Sequence, residues 1–297
     1  MKKLILVTGA HRSGSTWTGK VISQSKDVRY VQEPFNIAIK KYKSPIKYWF
    51  QFVDKNQDKE FQLTIKSYLK SFFSISIFKG YQNLSEVKSL KSLYTYFLEL
   101  HRKKLKRTLI KDPIALMSAP WIYDTFPSDV VVTVRHPAAF VASMKLKSWE
   151  FNFNELLQQK DLMTLHLKKF QTEIEFYSRK KQSILEQGIL LWNILYSVIL
   201  QYQKTYGNKW YFIKHEDLSL NPINEFSKIF DFLNLPFTEE IQSYIIATTT
   251  SKEEGVHVRD SKSNIHTWKD RLSSDEIDQI KTSTKTIWVN YYDESDW

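Results

Sequence analysis

Apolar residues in this chain fall into a few short, uninterrupted runs: Leu4–Thr8, Thr108–Lys111 and Asp129–Val134. Such runs, rich in β-branched and aliphatic residues, predict strands buried on both faces. Val28–Val31 alternates instead and predicts a further strand, broken at Glu33-Pro34, where the residue before proline is pushed out of the helical region. Trp210–Lys214 predicts a late strand. Helical patterns lie between: Thr16–Ser25, Pro120–Phe126, a helix opening at Pro137 or Ala138, one from Asn221-Pro222 through Leu233, and one opening at Ser273-Ser274-Asp275-Glu276. Residues 154–206 predict two long helices with a break near Ser183–Gly188, and residues 36–106 are mostly helical in pattern. Strands alternating with helices predict a parallel sheet covered on both faces.

The longest apolar stretch, Ile189–Leu200, is too short to span a bilayer and contains Asn193 and Ser197, so it predicts a buried helix. Only four apolar residues follow Met1-Lys2-Lys3, less than a signal peptide requires. The expectation is a cytoplasmic protein with no membrane span.

Composition changes this picture in two ways. Aromatic residues make up 15% of the chain and exclude a disordered protein, and the absence of cysteine excludes a disulfide scaffold. The formal charge of +11 is uneven: residues 40–111 carry 17 basic and 5 acidic side chains, and residues 188–297 carry 11 and 16. A localised basic surface suits an anionic partner or a solvated lysine face. Glycine is scarce, and three of the seven (Gly9, Gly14, Gly19) fall within the first nineteen residues.

Two of those glycines frame Gly9-Ala10-His11-Arg12-Ser13-Gly14-Ser15-Thr16, placed between a strand and a helix. This is the outline of a phosphate loop. Glycine lets the backbone curl round an anion, and the helix N-terminus adds favourable partial charge of roughly 0.3–1 kcal/mol. The lysine of nucleoside triphosphatases would fall at Ser15, and the cation here is Arg12. Asp129 begins its strand, whereas a Mg²⁺-holding aspartate would end one. A nucleotide kinase or phosphohydrolase therefore stands as the weaker alternative. A non-enzymatic binder of nucleic acid or acidic polymer is a second, without a nucleic-acid motif to support it.

His11–Trp17 resembles the 5′-phosphosulfate loop of sulfotransferases that use 3′-phosphoadenosine 5′-phosphosulfate (PAPS). A second signature is similar: Val131–Val134 ending at Arg135-His136-Pro137, with Ser143 eight residues after Arg135. Lys214-His215-Glu216-Asp217-Leu218 and Trp268-Lys269 resemble two later segments of that family. The resemblance implies a P-loop-like α/β fold of about five parallel strands in one domain over residues 1–297. Residues 36–106 would form a helical insertion covering the acceptor site. It implies PAPS as co-substrate, PAP as product and no metal. His11, Arg12, Ser13, Gly14, Ser15 and Thr16 would meet the 5′-phosphate, and Arg135 and Ser143 the 3′-phosphate. Arg259 and Lys262 are further candidates in the C-terminal loop, and Trp17 is expected to pack the helix.

Tyr30–Phe35 resembles the Tyr-Glu-Pro segment of carbohydrate 6-O-sulfotransferases, and the histidine of the cytosolic phenol and steroid branch has no counterpart beside Lys111. That favours Glu33 as general base, with Asp112 and His11 as alternatives, and Lys111 steadying the sulfuryl group. The acceptor expected is a glycan or other hydroxyl-bearing molecule, possibly acidic, with no nucleic acid as partner.

Overall fold

A computed structural model describes residues 3–74, 89–250 and 265–297. Five strands, β1 (Leu4–Gly9), β2 (Val28–Gln32), β3 (Arg107–Lys111), β4 (Ser128–Val134) and β5 (Tyr211–Lys214), form one parallel sheet in the order β2-β3-β1-β4-β5. Register sets Leu6 beside Ile110 on one side and Val130 on the other. Side chains alternate across the sheet. Leu4, Leu6, Ile110, Val130 and Val132 enter one core; Ile5, Val7, Leu109 and Val131 enter the other. β1, β3 and β4 are buried on both faces, which is why they read as continuous apolar runs.

Outside residues 154–179, the α-helices among the described residues are α1 (Ser15–Ile22), α2 (Lys59–Phe73), α3 (Leu90–Leu105), α4 (Ala119–Thr125), α5 (Pro137–Leu146), α6 (Ile184–Tyr206), α7 (His215–Leu220), α8 (Pro222–Phe232), α9 (Glu239–Thr250) and α10 (Ser274–Trp288). The chain moves from β1 to β2 and β3 on one side, then crosses to β4 on the other. Such a switch point opens a crevice at the C-terminal edge of the sheet. Gly9, Glu33, Lys111 and Arg135 all lie at that edge, each at or just after the end of its strand. Asp129 lies near the opposite edge, where it pairs with Arg107 and Lys3.

Two expectations about helices change. Only the second long helix of 154–206 exists, α6, opened by a Ser183/Glu186 capping box. Before it the chain makes short helical pieces, including a π turn at Met163–Leu167. Leu156, Gln159, Met163, Leu167 and Ile174 are buried at helical spacing, which is why the pattern reads as one helix. The chain breaks at Gln159, in non-helical backbone, where the side chain accepts the Phe52 N–H at 2.7 Å and donates to the Phe50 carbonyl at 3.4 Å. In the insertion, α2 and α3 are helical, but residues 36–58 are loop and turn apart from a 3₁₀ turn at Lys40–Tyr42. Pro34 and Pro45 both interrupt helical continuation there.

Helix α6 is longer than the apolar run inside it. It is long and apolar enough to cross a membrane, with a mean hydropathy of 1.3, but 67% of its apolar stretch is buried inside the fold, as in a core helix.

Candidate active site

The phosphate loop is built from left-handed backbone. Gly9 has φ 135°, Arg12 φ 64° and Gly14 φ 90°. Gly14 is also the N-cap of α1, so no side chain caps the first turn. A Cβ there would lie 2.5 Å from His215 Nδ1, and at Gly9 it would strike the Thr133 carbonyl. Glycine is therefore required at both ends of the loop, by conformation and by space.

Ser13 departs from the expected role as a phosphate donor. It is fully buried, its hydroxyl bonds to the Ala10 carbonyl and, at 2.5 Å, to Thr133 Oγ1, and its N–H donates to Ala10 O at 3.3 Å. It braces the loop against β4. Ser15 and Thr16 face the cleft.

Arg12, Arg135 and Ser143, distant in sequence, come together. Arg12 Nε donates to Ser143 Oγ at 2.8 Å, and Arg135 Nη1 donates to the Arg12 carbonyl at 2.5 Å. The Arg12 guanidinium and the Ser143 hydroxyl so meet where the loop joins α5, with the Arg135 guanidinium on the main chain of the same loop, donor groups of the kind that suit phosphate oxygens. His11 is buried in an aromatic cage, edge-on to Trp149 at 4.0 Å and Phe140 at 4.9 Å. Burial, and then the Arg12 charge, hold its imidazole well below the usual histidine range, so the ring is neutral.

Glu33 has φ 47°, and its N–H donates to the Lys111 carbonyl at 2.8 Å, extending the β2–β3 ladder by one residue. Its Oε1 accepts from Lys111 Nζ, and its Oε2 from Asn36 Nδ2 at 2.6 Å. Lys111 is almost wholly buried, with its stem passing beneath α1 at Gly19; a Cβ on that glycine would lie 3.0 Å from Lys111 Cγ. Tyr68 of α2 fixes the same turn by donating to the Pro34 carbonyl at 2.8 Å.

Asp112 does not reach the cleft. Its carboxylate accepts the N–H of Phe35 at 2.6 Å, of Ile114 at 3.0 Å and of Ala115 at 3.2 Å. Burial pushes its pKa up to about 7, against the pull of those amides. It caps the 3₁₀ turn at Pro113–Ser118 and anchors the chain just after Glu33. This is a supporting place, at odds with the alternative of Asp112 as base. Lys111 likewise acts through Glu33, because its side chain does not line the cleft.

One cleft of about 340 Å³ gathers Arg12, Ser143 and Glu33, while Arg135 lies outside its lining. Its polar wall is His11, Arg12, Ser15, Thr16, Glu33, Asn36, Ser143 and Lys147; its apolar wall is Trp49, Trp149, Met144, Pro113 and Ile114. A larger open depression of about 560 Å³, along Leu220–Asn224 and Phe237, carries none of this chemistry. Asn36, Lys147 and the two tryptophans escape a reading by motif. Only Asn36 leaves a signal, three residues after Glu33 and within a turn's reach. Trp17 packs edge-on to Phe226 at 5.1 Å, as expected.

Behind the loop, Glu216 accepts the His136 N–H at 3.0 Å, and Trp268 stacks on the His136 ring at 5.1 Å. Both later segments singled out in the sequence thus back the phosphate elements. Arg259 and Lys262 lie outside the described residues.

A phosphate loop at a parallel-sheet switch point, with arginine in place of the P-loop lysine and a carboxylate in the same cleft, defines an α/β group-transfer enzyme. The family model described as Sulfotransferase family matches residues 5–239. The chain belongs to the sulfotransferase family. No curated protein matches it in sequence. Among solved structures, the sulfotransferase domain from the curacin biosynthetic pathway is 16% identical over 96% of this chain and 98% of that one, with a TM-score of 0.50. A mouse sulfotransferase complexed with PAP is 11% identical over 97% and 85%, with a TM-score of 0.48. A sulfotransferase from Mycobacterium avium is 12% identical over 99% and 78%, with a TM-score of 0.47. At these identities the likeness is one of fold.

Proposed function

We propose that this sulfotransferase moves a sulfuryl group from PAPS to a hydroxyl of a carbohydrate acceptor, with Glu33 as general base. The observation that carries the reading is that one cleft holds both the phosphate loop and Glu33. The residues fit the nucleotide: the first turn of α1 has no capping side chain, Arg12 bonds Ser143 beside it, and Arg135 bonds the main chain of the same loop. When bound, PAPS supplies the sulfuryl group and a phosphate leaving group.

The chain's own residues would do the rest. Arg12 offsets charge on the departing 5′-phosphate. Arg135 and Ser143 hold the 3′-phosphate and so align the nucleotide. Glu33 takes the acceptor proton on a carboxylate oxygen at the cleft wall. Lys111 and Asn36 keep that carboxylate aimed. Trp49 and Trp149, with ring centres 5.9 Å apart, offer flat apolar faces of the kind sugar rings stack on. Lys40, Lys41, Lys43 and Lys47 are exposed between cleft residues Asn36 and Trp49, with no acidic residue in that stretch, which suits an acidic acceptor.

The test is transfer of radiolabelled sulfate from PAPS across neutral glycans, acidic glycans, lipids and phenols. The expected result is label on glycans, acidic ones foremost; label only on phenols or lipids would overturn the acceptor assignment.

A further inference from the structure

Just after β4 ends, at Arg135 behind the phosphate loop, three consecutive main-chain groups are held by side chains. The Arg135 N–H donates to Tyr196 Oη at 2.7 Å, and its carbonyl accepts from Trp192 Nε1 at 3.1 Å. The His136 N–H donates to Glu216, whose other oxygen accepts from Tyr292 Oη at 2.9 Å.

Trp192 and Tyr196 are fully buried, one turn apart on α6, with rings stacked at 4.3 Å and 15°. Neither lines the cleft. A hydroxyl and an indole N–H in that core are costly unless bonded, and a phenylalanine would fill the tyrosine's space equally well. What the hydroxyl adds is a fixed Arg135 peptide. From that root the guanidinium turns back to the carbonyl of Arg12, itself in left-handed backbone. A long side chain is aimed only as well as its backbone is held.

We propose that Tyr196, with Trp192 beside it, is a positioning residue that aims Arg135 at the 3′-phosphate of the nucleotide. The inference rests on the PAPS reading above. Its consequence is selective: loss of the hydroxyl should weaken recognition of the 3′-phosphate and leave the rest of the nucleotide site intact.

Calorimetry tests this with PAP and with 5′-AMP, which lacks the 3′-phosphate, on wild type, Tyr196→Phe and Trp192→Phe. Wild type should prefer PAP. In Tyr196→Phe the PAP Kd should rise about fivefold, the weight of one hydrogen bond, while the AMP Kd moves less than twofold. Trp192→Phe, which keeps a ring but removes the donor, should show the same selectivity and serves if the first variant folds poorly. Equal weakening of PAP and AMP in either variant would mark a general structural role and overturn the proposal, as would an unchanged ratio. A wild type with no preference for PAP would instead overturn the reading on which the proposal rests.

Discussion

Glu33 stands in left-handed backbone with both carboxylate oxygens engaged, one by buried Lys111 and one by Asn36. A carboxylate so held is ready to accept a proton without reorienting. Glu33→Gln keeps an oxygen for Lys111 but removes the base, so turnover should fall about 10²- to 10⁴-fold. The PAP Kd should stay within about twofold, since a base acts on the acceptor and not on nucleotide binding. Near-normal turnover in the folded variant would remove Glu33 from the mechanism. Arg12→Ala should cost at least about 10²-fold in turnover with an unchanged circular dichroism spectrum, because Arg12 is exposed and serves charge more than packing. At this scale the sequence shows the groups but not their surroundings. Arg12, Arg135 and Ser143 are legible from strand–loop–helix motifs. Asp112 looks the same on paper whether it faces a substrate or caps a turn. Only the three amides that fold onto it decide.

Among the elements, α1 does two jobs. Its N-terminus opens the phosphate loop, and its middle lets Lys111 pass beneath Gly19 towards Glu33. A side chain at Gly19 meets Lys111 Cγ, Lys111 Cβ and Tyr30 at about 3 Å. Gly19→Val should therefore destabilise the protein by about 1–3 kcal/mol through overpacking. It should also lower turnover beyond what that loss explains, by displacing Lys111 from Glu33. Urea unfolding and turnover measured on one preparation separate the two effects; a variant with normal turnover would show that Lys111 needs no such passage. The clustering of Gly9, Gly14 and Gly19 is visible in sequence, but only two belong to the loop. Strands β1, β3 and β4 are legible because they are buried on both faces. The break in 154–179 is not, because the buried positions keep helical spacing while Gln159 leaves helical backbone to bond the distant chain at Phe50 and Phe52.

Over the whole molecule, charge and aromatic packing divide the labour. The basic excess in 40–111 includes the lysines between Asn36 and Trp49 at the cleft, while the region behind the phosphate elements is closed by rings. His136 stacks on Trp268 and meets Tyr292 and Trp297 edge-on, and its ring nitrogens have no hydrogen-bond partner among the described residues. Burial, with nearby cations, lowers its pKa to about 3. An unfolded histidine takes its proton near pH 6.5. Between those values the unfolded chain binds more protons, so this histidine's contribution is complete above pH 6.5 and is lost as pH falls towards 3. Buried Asp112, with its pKa raised, gives the opposite slope, losing stability as pH rises from about 4 through 7. The comparison is therefore made between variants. Urea unfolding at pH 7.5 and 5 should show a smaller loss on acidification for His136→Phe than for wild type; an equal loss would place the acid sensitivity elsewhere.

The central claim is that the phosphate loop, Arg135 and Ser143 form a site for the nucleotide of PAPS. Calorimetric titration of the chain with PAP, in buffer without divalent cations and with ATP as the comparison ligand, tests it most directly. The account predicts saturable 1:1 binding of PAP that is weakened at least about tenfold by Arg135→Ala, as expected when a charge-assisted contact is removed. Absence of PAP binding, or tighter Mg²⁺-dependent binding of ATP, would contradict it.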